Sequence, residues 1–328
     1  MIDRIKSNFS LNQSSSVLGI DDDAAVIDAG DRYILISTDM LLEGVHFDLS
    51  FMPLQHLGYK SVVVNISDIA AMNGIPRQVT VSIGISNRFS VEAIDKLYLG
   101  IKKACEAYKV DLIGGDTTAS ASGLVISLTI IGDVDKEKIV KRGTAADKDI
   151  LCVTGDLGGA YMGLQVLERE KQVFLENPDM QPQLEGYDTI VGRQLRPEAR
   201  MDIIYELQEL RMLPTSMIDI SDGLASDLFH ICKQSGLGAV IYEDKLPIDA
   251  QTYQTAGSFK IDPVTCVMNG GEDYELLFTI KQDDFNKLKN HPDIHFIGYI
   301  QEKKKGINLV TKSGNIVPLR AQGWDHFK

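Results

Sequence analysis

The chain alternates short apolar runs with longer stripes at helical spacing. That alternation predicts a mixed α+β protein of the α/β class. Residues 2–9 predict a short amphipathic helix with Ile2, Ile5 and Phe9 on one side. Ile34 to Ile36 is an apolar, β-prone run that stops at Ser37, Thr38 and Asp39. Pro53 suits the first turn of a helix reaching about Met72, and Val62 to Ile66 makes its middle apolar all round, which predicts burial. Arg77 to Ser86 alternates as a strand, and Ser90 caps a helix to about Tyr108 with Val91, Ile94, Leu97, Ile101 and Ala104 as its stripe. Val110 to Ile113 predicts a strand ending in Gly114-Gly115-Asp116-Thr117-Thr118, and Leu124 to Gly132 another.

Asp135 to Asp149 is charged and turn-like, so the chain divides into domains 1–140 and 141–328. In the second half a strand from Ile150 to Val153 runs through Thr154-Gly155-Asp156-Leu157-Gly158-Gly159 into a helix, in principle a phosphate-binding arrangement. It is not a Walker A loop, since no GK[ST] follows. Residues 171–195, polar with prolines at 178 and 182, predict a surface loop, and Arg196 to Leu210 an amphipathic helix. A strand from Met217 leads into Asp219-Ile220-Ser221-Asp222-Gly223 and a helix to about Cys232. Asn269-Gly270-Gly271-Glu272-Asp273 precedes a strand from Tyr274 to Ile280, and a hairpin-like region leads to Trp324 near the C-terminus.

Composition narrows the function. A net charge of −13 argues against a nucleic-acid partner, which would need a basic face, but allows a polyphosphate held through metal ions. No apolar run reaches the ~18 residues of a membrane span, and MIDRIKSNFS lacks a signal-peptide core. Cys105, Cys152, Cys232 and Cys266 stand far apart with no CxxC pair, as reduced core residues of a cytoplasmic protein.

The chemistry lies in a repeated device, an apolar element ending in acids and hydroxyls. Asp22, Asp23, Asp39, Asp68, Asp116, Asp219 and Asp222 sit at element ends or on the buried helix, with no Arg or Lys in their motifs. Carboxylates that converge repel unless divalent cations compensate, and with few histidines or thiols nearby the ion is hard, Mg²⁺ or Mn²⁺. Several Mg²⁺ ions among glycine-rich turns suggest phosphoryl transfer from a nucleotide held by something other than a P-loop or protein-kinase fold.

These motifs resemble the thiamine-monophosphate kinase family of the aminoimidazole ribonucleotide synthetase superfamily. The matching stretches are GIDDDAAV, ISTDMLLEGVHF, NISDIAAMNGIP, LIGGDTT, TGDLGGA, IDISDGLASDL and NGGEDYELLFT, in the family's order. One position departs: Asp21 stands where the family usually has the second glycine of GIGDD. The resemblance implies a two-domain α/β fold whose N-terminal sheet pairs with a second subunit into a barrel, hence a homodimer. It implies transfer of the γ-phosphoryl of ATP onto thiamine monophosphate. It makes Asp23, Ser37, Thr38, Asp39, Asp68, Asp116, Asp219 and Asp222 ligands to several Mg²⁺ ions, with Asp39, Asp68, Asp116 and Asp219 central to catalysis. It places Tyr98, Gly115, Asp116, Arg142 and Ser221 near ATP, and His46, Glu272 and Trp324 near the thiamine, with Phe327 an alternative to Trp324.

The implied chemistry is self-consistent. A phosphate monoester has a second pKa of ~6, so the nucleophile needs no strong base; it needs charge suppression and in-line placement. A cationic thiazolium suits a carboxylate and an aromatic face. Two other readings remain open at this stage: another ATP-dependent synthetase of the superfamily, although Met1 to Ser16 lacks the cysteine typical of selenophosphate synthetases, or a non-catalytic metal-dependent nucleotide sensor.

Overall fold

The computed structural model describes residues 2–320, which form two compact units dividing between Ile139 and Val140. The first unit contains α1 (Ile2–Lys6), β1 (Ser16–Leu18), β2 (Ala25–Asp28), β3 (Arg32–Leu42), α2 (Leu54–Ala71), β4 (Ile75–Ile85), α3 (Val91–Tyr108), β5 (Asp111–Ala119) and β6 (Leu124–Asp135). Its strands form one sheet in the order β1-β2-β3-β6-β4-β5, antiparallel except for β4 with β5. Among the described residues this sheet is open and does not close on itself as a barrel. α1 is shorter than the expected 2–9 helix, and Ile5 and Phe9 are exposed rather than packed.

β6 shows why this sheet has a covered face. Leu124, Ile126, Leu128, Ile130 and Val134 alternate with half-buried Val125, Ser127, Thr129 and Ile131, the period of a strand with one face on a core. α2 packs against β3, β6 and β4, and α3 packs on α2. The two helices meet at glycines. A Cβ at Gly58 would fall 2.0 Å from the Leu97 carbonyl oxygen, and one at Gly100 would fall 1.9 Å from that of Gln55. That close approach leaves α2 buried nearly all round, as its apolar middle predicts.

Two strands run further than their local sequence suggests. β3 does not break at Ser37-Thr38-Asp39; it pairs with β6 from Arg32↔Asp135 to Leu42↔Val125 without interruption. β5 likewise runs through Gly114-Gly115-Asp116-Thr117-Thr118, paired with β4 as far as Ala119. Ladder hydrogen bonds from a neighbouring strand outweigh the weak β-propensity of Ser, Asp and Gly.

The second unit contains β7 (Ile150–Thr154), α4 (Gly159–Glu176), α5 (Asp188–Leu195), α6 (Met201–Glu209), β8 (Ser216–Asp219), α7 (Leu224–Ser235), β9 (Leu237–Tyr242), α8 (Ala250–Ser258), α9 (Pro263–Asn269), β10 (Leu276–Ile280), α10 (Phe285–Leu288), β11 (Ile294–Glu302), β12 (Ile307–Val310) and β13 (Ile316–Pro318). The strand order is β13-β12-β9-β11-β7-β10-β8. β8 and β10 are buried at every position, as strands covered on both faces are. One core joins Leu151 and Val153 to Leu224, Leu228 and Ile231 of α7 and Val267 of α9. The expected surface loop at 171–195 is instead mostly helical, since α4 continues to Glu176 and α5 occupies 188–195. The expected 196–210 helix begins only at Met201, because Arg200 is drawn into a buried ion-pair network. The C-terminal stretch 321–328, and with it the expected roles of Trp324 and Phe327, lies outside the described residues.

Asp21, which departs from the glycine that the resemblance implies, holds φ +155°, a backbone conformation that L residues seldom adopt, and its carboxylate pairs with Lys6. Such strain costs about 1–3 kcal/mol, whereas an exposed ion pair contributes only about 0–1 kcal/mol. Asp21→Gly is therefore expected to stabilise the protein by about 1 kcal/mol, a rise in Tm of about 2–4 °C. Asp21→Ala, which loses the pair and keeps the Cβ, is expected to gain nothing. Thermal unfolding of both variants checks this, and equal destabilisation by both would show that the turn needs the aspartate itself.

Candidate active site

The carboxylates of the first unit are gathered by its sheet and by α2. β2 and β3 pair with Ala25 opposite Ile36, which brings the segment just before β2 alongside Ser37. Asp68 projects from α2, which packs on β3. Carboxylate oxygens of Asp23 and Asp68 lie within 4.8 Å of each other, and the Ser37 hydroxyl donates to Asp68 at 2.5 Å. Strand alternation puts half-buried Asp39 on the same face as Ser37 and Leu35. Two like charges at this spacing repel, and the donors are all oxygen with no imidazole or thiolate among them, so the set fits a hard divalent cation.

Thr38 and Asp116 are placed differently. Thr38 points to the opposite face of β3, where its hydroxyl donates to the Leu128 carbonyl at 2.9 Å and accepts from Thr129 at 3.0 Å. Asp116 lies on the edge strand β5 in register with Ser82, on that same outer face, and is exposed. β5 is three strand positions from β3, roughly 14 Å at the spacing of neighbouring strands. Within one chain's first unit, Asp116 is therefore apart from Asp23, Ser37 and Asp68.

Asp116 does share a groove with two other predicted site residues. Tyr98, Gly115 and Asp116 line a cavity of ≈ 480 Å³ together with Leu112 and Gly114. Gly115 has no room for a side chain, because a Cβ there would sit 1.8 Å from the Val81 carbonyl oxygen. Burial raises the Tyr98 phenol above its ordinary pKa. A second cavity of ≈ 640 Å³ continues from Tyr98 along α3 and β5, lined by Ile101, Lys102, Cys105, Lys109 and Leu112. His46 sits in a tight loop after β3, where its Nδ1 accepts the Leu42 N–H at 3.1 Å and its own N–H donates to the Leu42 carbonyl at 2.9 Å. An accepting Nδ1 puts the proton of the neutral ring on Nε2.

In the second unit the Asp219-Ile220-Ser221-Asp222 turn is laced to the Glu272–Glu275 stretch. The Ile220 N–H donates to the Glu275 carbonyl, Tyr274 to Ile220, and Glu272 to Ser221, at 2.8–2.9 Å. Asp219 is buried, and the Asp222 N–H donates to the buried carboxylate of Asp227 in the first turn of α7. Arg142 lies half-buried at the start of this unit, and its carbonyl accepts the Ser216 hydroxyl at 2.8 Å.

At the glycine turn before α4, the chain supplies its own carboxylate to the helix N-terminus. The Asp273 carboxylate accepts from the Gly158 and Ala160 N–H groups at 2.7 and 3.3 Å, as an anion does at a helix start. Two residues on, Glu275 is the hub of a buried network. It accepts from the Thr154 hydroxyl at 2.5 Å, from Arg193 at 2.9 Å and from Arg200 at 2.6 Å. Arg193 also binds the Asp156 carboxylate, and Arg200 binds Asp202 and Asp293. Sequence reasoning missed Arg193, Arg200, Asp273 and Glu275. The available signal was the three acids of Glu272-Asp273-Tyr274-Glu275 beside an apolar strand, which need buried cationic or backbone donors.

Comparison with known proteins follows the same division. Residues 21–134 match the N-terminal domain, and residues 149–308 the C-terminal domain, of the AIR synthase related protein family. The thiamine-monophosphate kinase of Bacillus subtilis (strain 168) is 34% identical over 326 residues, 97% of this chain and 96% of that protein. That of Aquifex aeolicus (strain VF5) is 32% identical over 328 residues, 100% of this chain and 97% of that protein. A solved structure of AaThiL complexed with AMPPCP and TMP aligns with TM-score 0.83 at 31% identity, covering 99% of this chain and 96% of that one.

Burial pushes the Asp273 carboxyl from its ordinary 3.8 up to about 7, against the pull of Arg193 and the two backbone N–H groups. The folded protein thus holds this proton at pH values where the unfolded chain has released it. Between about pH 4 and pH 7 the native state binds more protons than the unfolded state, so this group makes stability fall as pH rises. Asp273→Asn is expected to be less destabilised at pH 7 than at pH 4, relative to the parent. Denaturant unfolding of both proteins across that range measures it; parallel curves would show that Asp273 titrates in the folded protein as in the unfolded one.

Proposed function

The chain belongs to the thiamine-monophosphate kinase family of AIR synthase related proteins, and on that premise we propose that it transfers the terminal phosphoryl group of ATP to thiamine monophosphate, giving thiamine diphosphate and ADP. The observation that carries this reading is identity of 30–36% with curated thiamine-monophosphate kinases over nearly the whole chain. The all-oxygen cluster of Asp23, Ser37 and Asp68 supports it, as does the groove shared by Tyr98, Gly115 and Asp116.

Under this reading Asp23, Ser37, Thr38, Asp39, Asp68, Asp116, Asp219 and Asp222 hold Mg²⁺, directly or through water. Bound Mg²⁺ offsets the charge of the phosphates and of the carboxylates around them. The Ser37 hydroxyl orients Asp68 by its short hydrogen bond. For Thr38 the hydroxyl is already engaged with Leu128 and Thr129, so a ligand role falls to another of its atoms or to a water. Tyr98, Gly115, Arg142 and Ser221 take the nucleotide. The bare backbone at Gly115 and the apolar and cationic lining beside Tyr98 suit a base with its phosphates. His46 and Glu272 take the thiamine side, and Trp324 is retained as a candidate there. Glu272 offers negative charge to the thiazolium, and His46 offers its Nε2–H. The accepting phosphate is largely ionised at neutral pH, so no residue need remove its proton.

The exposed edge strand β5, with Leu112 and Ile113 open to solvent, supports a homodimer in which the first unit's sheet is completed by a second copy. No described helix is long and apolar enough to cross a membrane. The four cysteines are free and buried, which supports a reducing, cytoplasmic setting.

ADP release from MgATP is expected only when thiamine monophosphate is present; equal release without it would leave an ATPase, and none in either case a sensor. Asp39→Asn is expected to keep the fold and lower kcat on the order of 100-fold, because it removes ligand charge from a site that must stabilise a polyanionic transition state. Turnover of this variant at limiting Mg²⁺ decides the point, and parent-like rates there would remove Asp39 from the ligand set.

A further inference from the structure

We infer that Gln194, on α5, is a positioning residue that sets the Glu272 carboxylate toward the cationic ring of the substrate, so that α5 contributes to substrate selection; this rests on the assignment of Glu272 to the thiamine side made above. Gln194 is buried, 3% exposed, and its Nε2 donates to Glu272 Oε2 at 2.6 Å. Both ends of that hydrogen bond are held rigidly. On the α5 side, the preceding residue Arg193 is clamped by Asp156 and Glu275. α5 also packs on α4 so closely that a Cβ at Gly163 would fall 2.0 Å from the Ile190 carbonyl oxygen.

On the other side, Glu272 holds φ +66°, the left-handed region that costs an L residue free energy and recurs at functional sites. Its N–H is bound to the Ser221 carbonyl at 2.8 Å. Gly271, just before it, runs so near that carbonyl that a Cβ would meet it at 2.3 Å. Tyr274 is left-handed too, at φ +52°. The chain thus keeps two strained residues around this carboxylate and ties them to the Asp219–Asp222 turn.

The chemistry of the donor separates Glu272 from Glu275. Glu275 is bound by two guanidinium groups, which neutralise it and make it structural. The Gln194 amide is a neutral donor. It orients the Glu272 carboxylate without itself adding a positive charge, which suits recognition of a fixed cation. A lysine or arginine at position 194 would hold the same oxygen and remove the charge the ring needs.

The test is steady-state kinetics of the full chain against thiamine monophosphate and MgATP, for Gln194→Met, Gln194→Lys, Glu272→Gln and the double variant Gln194→Met/Glu272→Gln. Met keeps the length and loses the donor; Lys keeps a donor and adds a compensating charge. Gln194→Met is expected to raise KM for thiamine monophosphate on the order of tenfold, with KM for MgATP and kcat nearly unchanged. Gln194→Lys is expected to raise it at least as far. In the Glu272→Gln background, Gln194→Met is expected to add nothing, as for a residue acting through Glu272. A shift shared equally by both substrates, a change in kcat alone, or the same increment in both backgrounds overturns the inference. If Glu272→Gln leaves KM for thiamine monophosphate untouched, the substrate assignment of Glu272 fails and the inference falls with it. If Glu272→Gln raises KM but neither Gln194 variant does, the inference alone fails. Should Gln194→Met not fold, the Gln194→Lys arm decides by the same split.

Discussion

Two carboxylates held within 4.8 Å of each other, Asp23 and Asp68, are the constraint around which the first unit is arranged. Like charges at that distance are unfavourable in an apolar surrounding, so the fold must hold them against their repulsion. It does so with a long helix, α2, that packs on β3, β6 and β4. Behind α2 lies α3, and Gly58 and Gly100 let those two helices approach closely. The Ser37 hydroxyl bonded to Asp68 joins helix and sheet at the point where the charges meet. The local cost of that repulsion is offset by the apolar core of α2 and β6.

The second unit solves a different electrostatic problem within a few residues of one segment. Glu272, Asp273 and Glu275 are close in sequence and receive three kinds of donor: a side-chain amide, backbone N–H groups at a helix start, and two guanidinium groups. The donor decides the role. Guanidiniums make Glu275 a buried structural hub, the backbone N–H groups make Asp273 a helix cap while burial holds its proton up to about pH 7, and Glu272 receives a neutral amide. Residues that look alike in a motif are separated by what folds against them.

By itself the sequence determined the class of the fold and the family. The strand and helix periods, the Ser90 cap, the all-apolar middle of α2 and the ordered set of acid-bearing motifs are local patterns, legible because each depends on neighbours a few residues away. Tertiary structure decided where those patterns end and which face their residues take. β3 and β5 continue through Ser-Thr-Asp and Gly-Gly-Asp because β6 and β4 pair with them. The same pairing sends Ser37 and Asp39 to the helix-covered face, and Thr38 and Asp116 to the other. Helix α5, hidden in a stretch that looks like surface loop, and the non-helical turn at Arg200, in a stretch that looks like helix, supply the donors to Glu272 and Glu275. The bond from Thr154 to Glu275 spans 121 residues of chain, and that from Ser37 to Asp68 spans 31. A buried acid announces in sequence that it needs a partner; which distant residue answers is chosen only when sheets and helices pack, because desolvation sets the need locally and the fold alone supplies the contact.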